Sequence, residues 1–228
     1  MQVDTAGMPL VFQRSYVSSV ANKNLYGQTA MGPGWRHTYS EFLTFKDTES
    51  PPAHANTRGG ETNTIIYETA LGNRYRFTKL GNGQFLAAPG VRASLTQSGA
   101  TYLLTLPDQH QREFNAAGRL TKLRDGQGRT QTITLTHTEN GMGTIEPTLV
   151  RDDTTGRTLT LAYGPSNGGI RLISVTNDQS NQVTFGYWAN SADSLRPLTN
   201  VTALSGATYG YTYFQNSTDT RLLQLVRL

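Results

Sequence analysis

Four histidines, sixteen acidic side chains and no cysteine are the residues of this chain that could do chemistry. His37, His54, His110 and His137 are widely spaced. None lies two or four residues from another, the spacing by which a strand or helix aims two imidazoles at one metal. His37 stands between Trp35 and Tyr39 in an alternating stretch and reads as a core histidine rather than a ligand. Without cysteine there is no thiolate nucleophile, no thiolate metal site and no disulfide. No G-x-S-x-G nucleophile turn occurs. Gly81-Asn82-Gly83 and Gly126-Gln127-Gly128 lack the strand-to-helix context and the lysine of a phosphate loop. Asp152-Asp153 could suggest calcium, but an oxygen-rich loop needs further donors at alternating positions. The two carboxylates of a glycosidase cannot be paired from sequence. The reading is non-enzymatic, with no cofactor and no metal.

What remains is surface. Trp188 falls on the face of its strand opposite Phe185 and Tyr187 and is the best single candidate for an outward contact. Aromatics such as Tyr187, Trp188, Tyr209, Tyr211 and Tyr213 could stack on sugar rings. The competing reading is a cross-strand ladder, because period two puts Tyr209, Tyr211 and Tyr213 on one face. The run Leu222-Leu223-Gln224-Leu225-Val226 is apolar and β-prone, so Leu222 and Leu225 mark a candidate edge for pairing with another chain. The net charge of +4 comes from scattered basic residues with no block of five. That pattern does not indicate a nucleic-acid surface. No apolar run of 18 residues exists, and the N-terminus has no charged start followed by an apolar stretch, so neither a membrane span nor a signal peptide is expected.

The elements behind these candidates repeat. Leu123, Val150, Val175, Val201 and Leu225 follow one another at gaps of 27, 25, 26 and 24 residues. The first four each precede a polar turn and an alternating strand: Thr130–Thr136, Thr158–Tyr163, Gln182–Trp188 and Thr208–Tyr213. Self-similarity at this period means stacked supersecondary units. Closely spaced short strands are expected earlier, at Thr64–Glu68, Asn73–Lys79, Gln84–Ala87, Ala93–Thr96, Thr101–Leu106 and Arg112–Phe114. Ser98-Gly99-Ala100-Thr101-Tyr102 matches Ser205-Gly206-Ala207-Thr208-Tyr209 and suggests that the first half is a degenerate form of the repeat. At the N-terminus, residues 1–19 read as an entering strand and 20–31 as a polar loop. Gly32-Pro33-Gly34 reads as a type II turn, and Trp35–Phe45 as one long strand with Trp35, His37, Tyr39, Leu43 and Phe45 on its core face. The Pro- and Gly-rich stretch at 47–60 is a surface loop. The fold class is all-β: a long curved antiparallel sheet of consecutive hairpin repeats. Residues 1–118 form an opening module with degenerate repeats, and residues 119–228 form the regular repeats, continuous with the first part.

Specific stretches resemble a known family. Gly118-Arg119-Leu120-Thr121-Lys122-Leu123-Arg124-Asp125-Gly126-Gln127-Gly128-Arg129, Asp152–Tyr163 and Tyr209–Tyr213 are similar to the YD repeat of RHS proteins. Pro9-Leu10-Val11-Phe12-Gln13-Arg14-Ser15-Tyr16 and Gly32-Pro33-Gly34-Trp35-Arg36-His37-Thr38-Tyr39-Ser40 resemble the module that opens such proteins. The resemblance implies a wall segment of a β shell that encloses a polymorphic toxin. The opening module would start that wall, with Pro33, Gly34, Trp35 and Tyr39 as its turn and core. The implied partners are the remainder of the shell, a C-terminal toxin, or a second copy meeting at an edge strand. The implied setting is a bacterial protein, cytoplasmic before export and then secreted or delivered with its parent. The chain holds few repeats and no Asp-Pro dipeptide, so self-cleavage and a toxin are not implied, and it reads as a piece of a larger shell. The alternative is a carbohydrate-binding β module at cell surfaces.

Overall fold

The computed structural model describes residues 2–3, 7–17, 29–46, 63–137, 145–166, 169–188, 197–214 and 222–227. The expected loop at 47–60, most of that at 20–31, and His54 lie outside these residues. Every regular element among the described residues is a strand. β1 (Gln2–Val3), β2 (Leu10–Val11), β3 (Arg14–Tyr16) and β4 (Trp35–His37) form two small antiparallel pairs, β1 with β2 and β3 with β4. The other strands are β5 (Phe42–Lys46), β6 (Thr64–Glu68), β7 (Arg74–Gly81), β8 (Gln84–Ala87), β9 (Ser94–Ser98), β10 (Thr101–Thr105), β11 (Gln111–Phe114) and β12 (Leu120–Arg124). They continue with β13 (Thr130–His137), β14 (Ile145–Asp152), β15 (Thr158–Ser166), β16 (Gly169–Asn177), β17 (Gln182–Tyr187), β18 (Leu198–Thr202), β19 (Thr208–Phe214) and β20 (Leu222–Arg227). These make one 16-stranded antiparallel sheet in which each strand pairs with its neighbour in sequence. The expected all-β sheet of consecutive hairpins is the observed fold, and it runs unbroken from β11 to β12 across residues 118 and 119.

The L-x-x-(L/V) step has a geometric meaning. In a regular strand, residues three apart face opposite sides, so both can be buried only if one extra residue is inserted between them. The ladder shifts at this place in five pairs. Phe114 pairs with Leu120 but Glu113 with Lys122. The same slip occurs at Thr134/Leu135, Ala162/Tyr163, Gly186/Tyr187 and Thr212/Tyr213. Leu120 with Leu123, Leu172 with Val175, and Leu198 with Val201 are all buried. One bulge per repeat adds twist and curls the sheet. The register also corrects the last member of the series. Val201 lies opposite buried Phe185, and the position opposite buried Tyr211 belongs to Val226. Leu225 pairs with the exposed Thr212 and sits one step out of phase.

Tight turns fix the hairpins. In Asn115–Arg119 the side-chain oxygen of Asn115 accepts from the backbone N–H groups of Ala117 and Arg119 at 3.0 and 2.9 Å. Asp125 and Asn177 do the same for their own turns. The fourth residue is left-handed, as at Gly118 (φ +74°), which is why glycine recurs there. The matched pentapeptides at Ser98 and Ser205 nonetheless turn differently. Ser98 pairs with Thr101 across a two-residue hairpin, whereas Gly206 closes a longer turn with Ala203.

The sheet coils on itself. The Leu43 N–H of β5 donates to the Gly118 carbonyl at 2.8 Å, so the first wall strand meets the β11–β12 turn. Inside this curl Tyr67 meets Phe114 edge-on, with ring centres 6.0 Å apart, and Phe45 packs on Tyr102. The single long strand expected over Trp35–Phe45 is not formed. The Ser40 N–H donates to the His37 carbonyl at 2.9 Å, turning the chain between β4 and β5. Trp35, Arg36 and His37 are all buried, so β4 has no solvent face. The entering strand does not begin the wall either. β1–β4 stay out of the long sheet, and residues 7–16 and 29–40 pack against its inner face.

Candidate interaction surface

The inner face is occupied by the chain's own opening segment, here called the plug. Residues 7–16 cross the wall strands. The Gly7 carbonyl accepts from Arg129 and the Met8 and Pro9 carbonyls accept from the Gln131 amide, placing this end on β13. Phe12 packs on Phe185 of β17 at 5.9 Å. Arg14 donates to the Tyr211 hydroxyl of β19 at 2.7 Å and stands over the Tyr209 and Tyr211 rings. The seven extended residue steps from Gly7 to Arg14 reach about 24 Å, and the Arg14 side chain adds the rest of the six strand spacings from β13 to β19, about 29 Å. An extended segment laid across the strands therefore fits. Its end reaches the far wall, where Ser15 donates to the Ala70 carbonyl at 2.8 Å.

A second layer is positioned by the Gly32-Pro33-Gly34 turn. The Trp35 N–H closes on the Gly32 carbonyl at 3.2 Å, and Gly34 has φ +75°, the type II requirement. Pro33 and Gly34 are buried. The turn delivers Trp35 into a cage of Tyr16, Tyr211 and Tyr213, where its indole N–H donates to the Tyr213 hydroxyl at 2.7 Å. Tyr39 is buried close by, and burial raises its phenol pKa. His37 stacks on Phe12 at 5.2 Å and accepts from the Tyr39 N–H through Nδ1. Burial, with Arg36 beside it, pushes its pKa down to about 3, so it is neutral in ordinary conditions.

Polar residues stitch plug to wall where sequence gave little signal. Arg36, wholly buried, pairs with buried Glu68 of β6 at 2.8 Å and lies over the Phe42 ring. The Ala30 carbonyl accepts from the Leu172 N–H of β16. Glu146 of β14 is buried beside Ala30, with Arg119 and Arg171 near it; burial dominates and raises its pKa to about 7. Gly7 lies against Asp152, where a Cβ would overlap the carboxylate. Asp152 accepts from the backbone of Thr154 and Thr155 and from the Thr155 hydroxyl, while Asp153 accepts from Thr130 and Thr132. Asp152 thus spends its oxygens on its own turn and Asp153 on the neighbouring strand β13. His110 has a carboxylate neighbour two residues before it in the sequence, Asp108 at 3.6 Å, on an exposed turn. Among the described residues no three His, Cys, Asp or Glu side chains gather as a metal site would require.

The candidate outer contacts are scattered. Trp188 is 37% exposed beyond the end of β17. Tyr211 and Tyr213 are buried and Tyr209 packs against them, so these tyrosines form part of the core rather than a sugar platform. Leu222 and Leu225 lie in β20, which pairs with β19 and has no other strand neighbour among the described residues. No helix among the described residues is long and apolar enough to cross a membrane.

Residues 2–77 match a family model described as a domain of unknown function, DUF6531. The match covers the plug and the first wall strands through Phe77 of β7. No curated protein matches the chain. The chain is also similar to the solved N-terminal domain of effector protein SpvB from Salmonella typhimurium strain LT2. That likeness is at 9% identity and a TM-score of 0.49, over 99% of this chain and 95% of that one.

Proposed function

We propose that this chain is a non-catalytic structural segment of an RHS/YD-type β shell: a plugged stretch of wall that encloses or associates with another polypeptide. The observation that supports this reading is a long sheet of consecutive hairpins whose inner face is filled by the chain's own opening segment. The plug occupies the concavity facing β13 to β19, so cargo belongs farther along the wall. In the parent assembly the enclosed or associated polypeptide is a toxin, secreted or delivered with the shell. Hydrogen exchange on the isolated chain tests the claim. The β20 amides should exchange far faster than those of β14 to β18, because among the described residues β20 has a strand neighbour on one side alone. Slow exchange throughout β20 would mean that its edge is already covered and would overturn the shell reading. The carbohydrate-binding alternative rests on the exposed Trp188. Saturable glycan binding that disappears in Trp188→Ala would favour it.

A further inference from the structure

The plug's second layer is seated on β14 and β16 through Ala30. This residue is buried; its N–H donates to the Glu146 carboxyl of β14, and its carbonyl accepts from the Leu172 N–H of β16 at 2.9 Å. The segment around it is tied into one unit. The Thr29 hydroxyl donates to the Trp35 carbonyl at 2.8 Å and accepts from the Met31 N–H, and the Thr29 carbonyl accepts from the Gly32 N–H. A movement at Ala30 is thereby carried to Trp35 in its tyrosine cage. Glu146 is itself buried. Among the described residues the groups that face it are Arg119, just before β12, Arg171 of β16, Tyr163 of β15 and Tyr187 of β17. The two phenols donate to the Pro147 and Leu172 carbonyls, both at 2.7 Å, and burial raises their pKa values. The two guanidinium groups stay charged. His37, in the same layer, is held neutral by its burial. Glu146 is therefore the member of this cluster that changes state between acid and neutral pH.

We infer that residues 29–35 form a proton-controlled latch: they stay seated on β14 and β16 while Glu146 is neutral and lift from them when it ionises. The geometry sets the sense. Seated, Ala30 and its neighbours keep water from the carboxyl, which a neutral acid tolerates far better than a carboxylate. Arg119 and Arg171 oppose this effect without overcoming it. Lifted, the carboxyl meets solvent and ionises at its ordinary value. The seated form thus holds a proton that the lifted form has released, so rising pH favours lifting. With the buried carboxyl raised from 4.5 to about 7, seating should weaken about tenfold per pH unit between those values and no further above them. The first layer has anchors of its own. The Gly7, Met8 and Pro9 carbonyls hold to β13, and Arg14 holds to the Tyr211 hydroxyl of β19. It keeps them when the second layer lifts. Passage from an acidic to a neutral medium is the signal such a latch reads. It needs only the plug and the wall, whatever the wall encloses.

The test uses the full chain carrying Trp188→Phe, which leaves Trp35 as its one tryptophan. Acrylamide should quench Trp35 weakly at pH 5, where the indole is buried, and severalfold more steeply at pH 8. Circular dichroism should show the sheet intact at both. Glu146→Gln in the same background accepts from Ala30 but cannot ionise, and should keep Trp35 shielded at both pH values. Equal quenching of the Trp188→Phe chain at pH 5 and pH 8 overturns the latch. So does a rise that persists in Glu146→Gln, which would place the titration elsewhere. Should Glu146→Gln fail to fold, hydrogen exchange on the unmutated chain decides. After correction for the intrinsic effect of pH on exchange, the amides of residues 29–35 and of Leu172 should lose protection at pH 8, while the rest of β14 to β18 keeps it. Loss in both together, or in neither, overturns the latch. None of these outcomes bears on the exchange of β20, which tests the shell reading separately.

Discussion

The plug and the wall are held by opposite kinds of contact. In the wall each strand meets the strand just before and just after it, and its turns close on themselves over four or five residues. In the plug the decisive bonds join residues far apart in the chain: Trp35 to Tyr213 across 178 residues, Arg14 to Tyr211 across 197 and Gln131 to Pro9 across 122. A repeat array gains stability from neighbours and can form piecemeal. A plug gains its stability only after the wall exists to receive it, because long loops must close first. The lesson is that a wall of similar repeats need not be uniform: the plug couples particular strands, β13, β17 and β19, that the wall alone would leave equivalent.

This contrast can be broken at the plug first. Trp35→Ala should cost about 3–5 kcal/mol, the range for large buried aromatics, measured as a shift in the denaturant midpoint. A loss of only a few tenths would show that the plug is not coupled to the wall. The next largest effect is pH. Glu146 has its pKa raised by burial from an ordinary 4.5 to about 7, so the folded protein holds a proton in this window that the unfolded chain has released. Stability should therefore fall as pH rises from 4.5 to 7, by up to about 3 kcal/mol. Glu146→Gln, always neutral, should flatten that slope and be the more stable form at pH 8. An unchanged slope in the variant would put the titration elsewhere.

Gly7→Ala comes third. Its Cβ would overlap the Asp152 carboxylate, and overpacking of this kind costs about 1–3 kcal/mol. Thermal melting of the variant should show the loss, and Gly7→Ala combined with Asp152→Ala should recover part of it. The smallest expected effect is in the wall. Asn115→Ala removes two side-chain hydrogen bonds from one turn, for about 1 kcal/mol. Its exchange signature should stay local to β11 and β12. A rise in exchange across β13 to β19 would erase the distinction between wall and plug.

The wall was legible because its signals are local. The repeat of about 25 residues and the alternation within β15 and β17 each declare themselves over a short stretch of chain. The limits of that legibility are also local. Leu222-Leu223-Gln224-Leu225-Val226 contains an L-x-x-L and an L-x-x-V step one residue apart, and only the ladder with β19 shows that Val226 keeps the phase. The plug was barely legible. Trp35 to Phe45 alternates well enough to imitate one strand, yet Arg36 on its supposed outer face is buried because Glu68 waits for it 32 residues later. A charge that is buried by a distant partner leaves no local pattern. Trp35 and the Gly32-Pro33-Gly34 turn were found because aromatic bulk and turn chemistry are readable in place. Gly7, Arg14 and Glu146 carried no such mark.

The way residues 7–16 lie across the strands has a consequence for how such a chain can change over time. A segment fixed at β13 by Gly7 and at β19 by the reach of the Arg14 side chain is a ruler set to six strand intervals. Duplication or loss of one repeat between those strands would leave every hairpin intact yet put Phe12 and Arg14 opposite the wrong partners. Repeats added beyond β19 meet no such check. The molecule thus has a gauged section, whose repeat number can drift only with the plug, and an ungauged one, where copy number is free to vary.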